Sequence, residues 1–193
     1  MSKGERTRGA ILDHALDLAS VVGLEGLSIG ALASHSGLSK SGLFAHFGSK
    51  EALQLATLKA ASAAFIDQVM APARSKPRGL ERLRAMFENW LGWTERNQGG
   101  CLFVTAAVEL DDRDGPAREF LVGQQRSWLE ALARQARYAA AGGELRADLD
   151  PEQFAFELYG LYLGYHNARR LQRDPDALRR ARAAFDTLVQ NYR

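Results

Sequence analysis

Residues 27–50 read LSIGALASHSGLSKSGLFAHFGSK, and the fold follows from how this stretch is punctuated. Ser28 is placed to cap a short helix over 28–35, in which Ile29, Leu32 and Ala33 form an apolar stripe. Gly37 supplies a residue that takes positive φ at no steric cost, as a sharp turn between two helices requires. Leu38 is expected to plug back into the core, and Ser39 to cap a second short helix. Within it Leu43 and Phe47 lie one turn apart and face inward. Lys40, Ser41, Gly42, Ala45 and His46 are left on the outer side. Ser49, Lys50 and Glu51 open the next helix with a cap and a cation.

Upstream, Ile11, Leu12, Ala15, Leu18, Ala19 and Val22 recur at helical spacing over 7–22, and Gly23 ends that helix. Three helices make the smallest core, and the first buttresses the other two. Residues 1–8 are polar, with Lys3, Arg6 and Arg8 against Glu5, and read either as a solvated terminus or as a basic arm. Downstream, an apolar pattern from Lys50 through Phe65 and Val69 stops at Ala71-Pro72. It predicts one long helix with no internal Pro or Gly, a rigid lever. ARSKPR at 73–78 is basic, has a proline and lacks an apolar anchor, so it reads as a linker.

Further helices are predicted from 79 to 93–97, over the short apolar run CLFVTAAVEL at 101–110, and from Pro116 to about 141. Asp150-Pro151 and Asp174-Pro175 open two more. In the first of these, Phe156, Gly160, Gly164 and Ala168 recur every four residues and make a strip of mostly small residues. In the last, Leu178, Ala181, Phe185, Leu188 and Tyr192 form an apolar seam. Either both helices bury these stripes within the same chain, or Phe156, Gly160, Gly164, Leu178, Phe185 and Leu188 are the candidates for a symmetric four-helix interface between two chains. Five prolines and few Ile/Val/Thr runs leave little room for a sheet. The fold class is all-α with about nine helices: a helix-turn-helix domain over 1–52, joined by a long helix to a helical bundle over 53–193.

Composition narrows the function. Of 193 residues 46% are hydrophobic and 25% charged, and the formal net charge is only +2. There is no global basic field, so contact with nucleic acid has to come from a local arrangement. No apolar run approaches the ~20 residues of a membrane span, and a single cysteine, Cys101, rules out an internal disulfide. The cytoplasm is the expected compartment. GxxxxGK[ST], HExxH and GxSxG are absent, and the four histidines lack metal-ligand spacing. No catalytic residue, metal or cofactor is expected. Glu109, Asp111, Asp112 and Asp114 cluster beside Arg113 and Arg118, a pattern more often solvated or capping than catalytic. The aromatics of the second half suit an apolar core or a cavity with a few polar tips. Trp90, Trp93, Phe103, Trp128, Tyr162 and His166 are the candidates for lining one.

One ordering decides between these classes. Ala33, then Gly37-Leu38-Ser39, Leu43-Phe44, His46-Phe47 and Ser49-Lys50-Glu51 with Leu53 stand near the N-terminus behind a full helix. Over roughly 7–58 the chain resembles the DNA-binding domain of the tetracycline-repressor (TetR) family. That resemblance implies a homodimeric transcriptional regulator, usually a repressor, with one recognition helix per subunit in the major groove of a palindromic operator. It also implies a small hydrophobic or aromatic effector in the C-terminal domain. Carried over by position, Ser28, Lys40, Ser41, Gly42, Phe44, His46 and Lys50 fall where the family touches DNA. Phe44 stands where a tyrosine is common, and Gly30 where a longer polar residue often reaches a base. The alternative is a helical small-molecule-binding protein or enzyme with no DNA function.

Overall fold

A computed structural model describes residues 3–193, the side chain of Lys3 excepted. Nine helices and no strand are found among the described residues: α1 Lys3–Gly26, α2 Ile29–Ser36, α3 Lys40–Phe47, α4 Lys50–Phe65, α5 Leu80–Arg96, α6 Leu102–Leu110, α7 Pro116–Ala141, α8 Pro151–Arg170 and α9 Ala177–Asn191. Three helix starts are capped as the sequence predicts, whereas the last helix, expected to open on Asp174-Pro175, starts at Ala177 behind Asp176 with no side-chain cap. Ser28 and Ser39 accept the N–H of Ala31 and Gly42 at 3.1 Å each, and Asp150 accepts those of Glu152 and Gln153 at 3.0 Å. Each satisfies donors that a helix start leaves without an internal partner.

The chain divides into two compact units. The first takes in the chain through Phe65 together with Arg96–Gly123. Its core is built from Ile11, Ala15 and Ala19 of α1, Leu24, Leu27, Leu32, Leu43 and Phe47, Leu53, Leu58 and Ala61 of α4, and Leu102, Ala106 and Leu121. Each fully buried leucine here contributes about 1.5–3 kcal/mol over an exposed one. Leu38 is not among them; it is 42% exposed. The three-residue connection from Gly37 to Ser39 leaves it on the outside of the turn, where Leu32, Leu43 and Phe47 already occupy the interior. The proposed basic arm also differs. Met1 and Ser2 lie outside the described residues, and from Lys3 onward the chain is already α1, whose Arg8 guanidinium stands 5.2 Å above the Phe47 ring.

Gly23 breaks α1 as foreseen, at φ 75°. The residues after it are pinned from elsewhere in the first unit. The Glu109 carboxylate of α6 accepts the Leu24 N–H at 2.7 Å and the Glu25 N–H at 3.4 Å. Gln54 Nε2 of α4 donates to the Leu24 carbonyl. A Cβ on Gly23 would fall 2.0 Å from Glu109 Oε1, so glycine serves both the backbone angle and the contact.

The second unit comprises Ile66–Glu95 and Gln124–Arg193. The α-helical geometry expected to run unbroken to Val69 instead ends at Phe65. Ile66–Met70 form a widened π turn, followed by a short α turn, Ala71–Ala73. The wide turn stands directly before Pro72, which has no N–H to return to the preceding turn. Asn89 Nδ2 donates to the Val69 carbonyl there at 3.0 Å. Leu83, Phe87, Trp90, Leu91, Phe154, Leu158, Tyr162 and Phe185 form the core, with α8 and α9 packed on each other. Glu95 ties α5 to α8: it accepts the Tyr165 hydroxyl at 2.7 Å and a two-pronged contact from Arg169 at 2.6 and 2.8 Å. Those donors hold its carboxyl below the usual range, Arg169 foremost, while burial and then Glu95 push the Tyr165 hydroxyl up.

Candidate nucleic-acid interface

The geometry of the first unit follows from three serine caps and two glycine turns. Ser28, Ser39 and Ser49 head α2, α3 and α4, the last by accepting the Ala52 N–H at 3.1 Å. Gly37 and Gly48 take φ 70° and 75° at the two turns. α3 is thereby held between fixed ends, with Leu43 and Phe47 buried beneath it. Its other side is open: Lys40, Ser41, Gly42, Phe44, Ala45 and His46 are all exposed.

This face has the chemistry of a groove reader. No acid stands in the first turn of α3, so the helix N-terminus and the Lys40 cation together favour an anion or the electron-rich edge of a base. Gly42 keeps that end slim; a Cβ there would stand 3.0 Å from Ser39 Oγ. Lys40 runs beside Gly30, its Cε and Nζ 3.8 and 3.9 Å from where a Cβ would sit. The place that a longer residue at 30 would fill is thus bordered by the lysine. Phe44, 57% exposed, offers an apolar ring where a phenol would offer a hydroxyl. Ser28 is committed as a cap, which occupies one of its acceptor lone pairs and leaves its O–H donor spare.

Lys50, which falls where the family touches DNA, has an acidic partner within the first unit. Its Nζ is 3.0 Å from Glu25 Oε1, and Arg113 holds the other carboxylate oxygen. The pair is exposed and borders an open cleft of about 440 Å³, so water screens it and it contributes little to stability. Lys50, foremost, and with it Arg113 hold the Glu25 carboxyl below its ordinary range, against an opposing effect of burial. Sequence reasoning did not foresee which groups Glu25, Gln54 and Glu109 hold, because each acts on a segment 25 or more positions away.

The aromatic residues expected to line a cavity are mostly brought together in the second unit, but as a packed stack. Trp90 lies face to face with Tyr162 at 3.4 Å and meets Trp128 edge-on at 5.0 Å. Tyr162 shares a 2.5 Å hydrogen bond with Thr94. Trp93 and His166 are buried in the same unit, and burial, then Arg170, lowers the pKa of His166, so the ring is neutral near pH 7. Phe103 belongs to the first unit, where its ring meets Phe65 edge-on at 5.8 Å.

The expected interface residues also separate. Phe156 is 69% exposed, and a Cβ on Gly160 or Gly164 would meet nothing within 4 Å. Phe185 and Leu188, assigned to the same interface from their spacing, are buried inside the chain instead. The Phe185 ring stacks on Phe87 at 4.8 Å beneath the Arg84 guanidinium, and Leu178 is half-buried. The periodic seam of α9 is satisfied within the chain.

Among the described residues no helix is long and apolar enough to cross a membrane, and no three His, Cys, Asp or Glu side chains are grouped to hold a metal. Comparison with known proteins agrees with the geometry. The whole chain superposes on a TetR-family transcriptional regulator from Cytophaga hutchinsonii, with a TM-score of 0.86 at 21% identity, covering 100% of this chain and 97% of the other. A TetR regulator from Chloroflexus aurantiacus J-10-fl matches with a TM-score of 0.87 at 25% identity, over 98% and 96%. AibR, solved with isovaleryl coenzyme A and operator DNA, matches with a TM-score of 0.68 at 25% identity, over 82% and 84%. No curated relative matches the sequence. Residues 11–57, which contain α2 and α3, match the family described as bacterial regulatory proteins, tetR family, and 79–185 match the tetracyclin repressor-like C-terminal domain. Since that second match alone spans more than half of the 193 residues and the first falls on the helix-turn-helix itself, the chain belongs to the tetracycline-repressor family of DNA-binding transcriptional regulators.

Proposed function

We propose that this chain is an effector-released repressor that works in the cytoplasm and binds a palindromic operator as a homodimer, without catalysis of its own. By function, 1–52 is the DNA-binding domain and 53–193 the effector-binding and dimerisation domain. The observation that carries the reading is the outer face of α3, where Lys40, Ser41, Gly42, Phe44 and His46 stand exposed on a helix whose inner face is fixed by Leu43 and Phe47. Ser28 and Lys50 flank it. Two such heads read successive major grooves when held ~34–36 Å apart.

Operator binding then requires Lys50 to exchange Glu25 for a phosphate. Mobility-shift titration of DNA from upstream of the gene, at several salt concentrations, tests the proposal. Affinity should fall steeply with salt, and Lys50→Ala should lower the slope by about one unit without changing sequence preference. A chain that binds matched and scrambled DNA equally, or no DNA at low salt, does not have this function.

Dimerisation is assigned to the exposed strip of α8. Phe156 offers apolar area, and Gly160 and Gly164 leave open space for close approach of a second helix. Gly164→Leu should lower the dimer fraction in sedimentation at micromolar concentration while α3 stays folded. An intact dimer in that variant refutes the assignment. The effector is a small apolar or aromatic molecule taken up among Trp90, Trp93, Trp128, Tyr162 and His166. An aromatic ring would exchange one ring contact for another there, and His166 offers hydrogen bonds without a charge. AibR, solved with both an acyl thioester and operator DNA, supports the pairing of one effector site with one operator site.

A further inference from the structure

The basic stretch that reads as a linker closes one side of a small cavity in the second unit. Its volume is about 160 Å³, and four arginines line it: Arg74, Arg78 and Arg82 from the 74–82 segment and Arg134 from α7. Met86 and Tyr138 supply an apolar edge. None of these four arginines makes an ion pair among the described residues, whereas Arg84, Arg137, Arg146, Arg169, Arg179, Arg180 and Arg182 of the same unit each have a carboxylate. Four like charges lining one cavity repel one another, a cost that a bound anion would offset.

Two of the four are held in place. Arg82 donates from Nε to the Lys76 carbonyl at 3.0 Å and from Nη2 to the Arg74 and Lys76 carbonyls at 3.1 and 2.6 Å, which fastens the turn that carries Arg74 and Arg78. Arg78 lies over the Tyr138 ring at 5.1 Å. The buried Gln135 accepts the Gly79 N–H at 3.3 Å and ties the same segment to α7. Cations fixed before binding lose less entropy when a ligand arrives. The planar guanidinium fork matches the oxygens of a phosphate in two-pronged fashion. The space suits a charged head group: it equals about five waters at ~30 Å³ each, well below the ~300–1,000 Å³ that encloses a drug-sized molecule.

We propose that Arg74, Arg78, Arg82 and Arg134 form a site for the phosphate group of a small phosphorylated ligand, whose remainder lies outward along the exposed Tyr138. This needs nothing from the DNA-binding reading and is tested without DNA. Calorimetric titration of the full chain at fixed ionic strength with inorganic phosphate, pyrophosphate and phenyl phosphate should give saturable binding. Phenyl phosphate binding more tightly than phosphate assigns the site to an organic phosphate, and the reverse order assigns it to the free anion. Arg78→Gln with Arg134→Gln should weaken binding by about tenfold or more. Arg126→Gln, an exposed arginine outside the cavity, should leave it unchanged. The double variant removes only exposed side chains, and an unchanged melting curve without ligand checks its fold. Equal affinity in the wild type and the double variant, or heat no greater than that of sodium chloride at the same ionic strength, overturns the proposal. So does a variant that loses operator affinity while phosphate binding is unaltered, which would give these arginines to DNA.

Discussion

Gly99→Ala should destabilise the first unit by roughly 3 kcal/mol, more than most single substitutions cost. Gly99 lies in the turn between α5 and α6, and its backbone rests directly on α1. A Cβ there would fall 1.4 Å from the Ser20 carbonyl oxygen and 2.6 Å from the Val21 nitrogen. Both are backbone atoms of a helix, so no side chain can swing aside. The turn has to lift, and it then loses the hydrogen bond from Gly99 N–H to Ser20 Oγ, 3.2 Å long. Overpacking costs about 1–3 kcal/mol and the lost bond about 1. For a chain of this size the melting temperature should drop by roughly 6–12 °C. Gly123→Ala is the matched control, since a Cβ there meets nothing within 4 Å on a helix. It should be neutral or raise stability by up to ~1 kcal/mol. Circular dichroism melts of the two variants decide the matter, and equal melting temperatures would mean that α1 does not depend on this contact.

That contact marks the limit of what the sequence discloses. Local rules carry far here: serine and aspartate caps, prolines in first turns and glycines at Gly37 and Gly23 place most helix ends within a few residues, because each depends on neighbours in the chain. The inward pair Leu43 and Phe47, and hence the open face of α3, is legible for the same reason. Long-range partners are not. Gln98-Gly99-Gly100 reads only as a helix breaker, and nothing in it announces Ser20. Glu109 looks like one member of an acidic turn, yet its carboxylate holds the N–H groups that follow Gly23. A helical period reveals an apolar stripe but not what covers it. The stripe through Phe185 and Leu188 is covered by the chain itself, while Phe156 and the glycines beside it remain open. The π turn at Ile66–Met70 escapes pattern reading because the apolar positions continue through it.

Lys40→Ala should cost roughly 1–3 kcal/mol of operator affinity and relax the preference at one base position. In this chain the residue that could extend toward a base from α2, Gly30, has no side chain, and Lys40 runs past the empty Cβ position instead. A lysine at the first position of α3, exposed and in no ion pair among the described residues, has the reach and charge for O6 and N7 of a guanine. Lys50 differs in both respects, being engaged with Glu25 and standing at the start of the next helix. The two lysines should therefore separate in one experiment. On matched and single-mismatch operators, Lys40→Ala should lose the discrimination at its base, so that the mismatch there no longer costs affinity. Lys50→Ala should weaken both operators by the same factor and keep the discrimination. Gly30→Ala adds a check, because the added methyl meets Lys40 only at ordinary contact distance and should leave the head folded. If Lys40→Ala keeps full discrimination at every operator position, the lysine contacts phosphate, and base reading passes to the remaining exposed residues of α3.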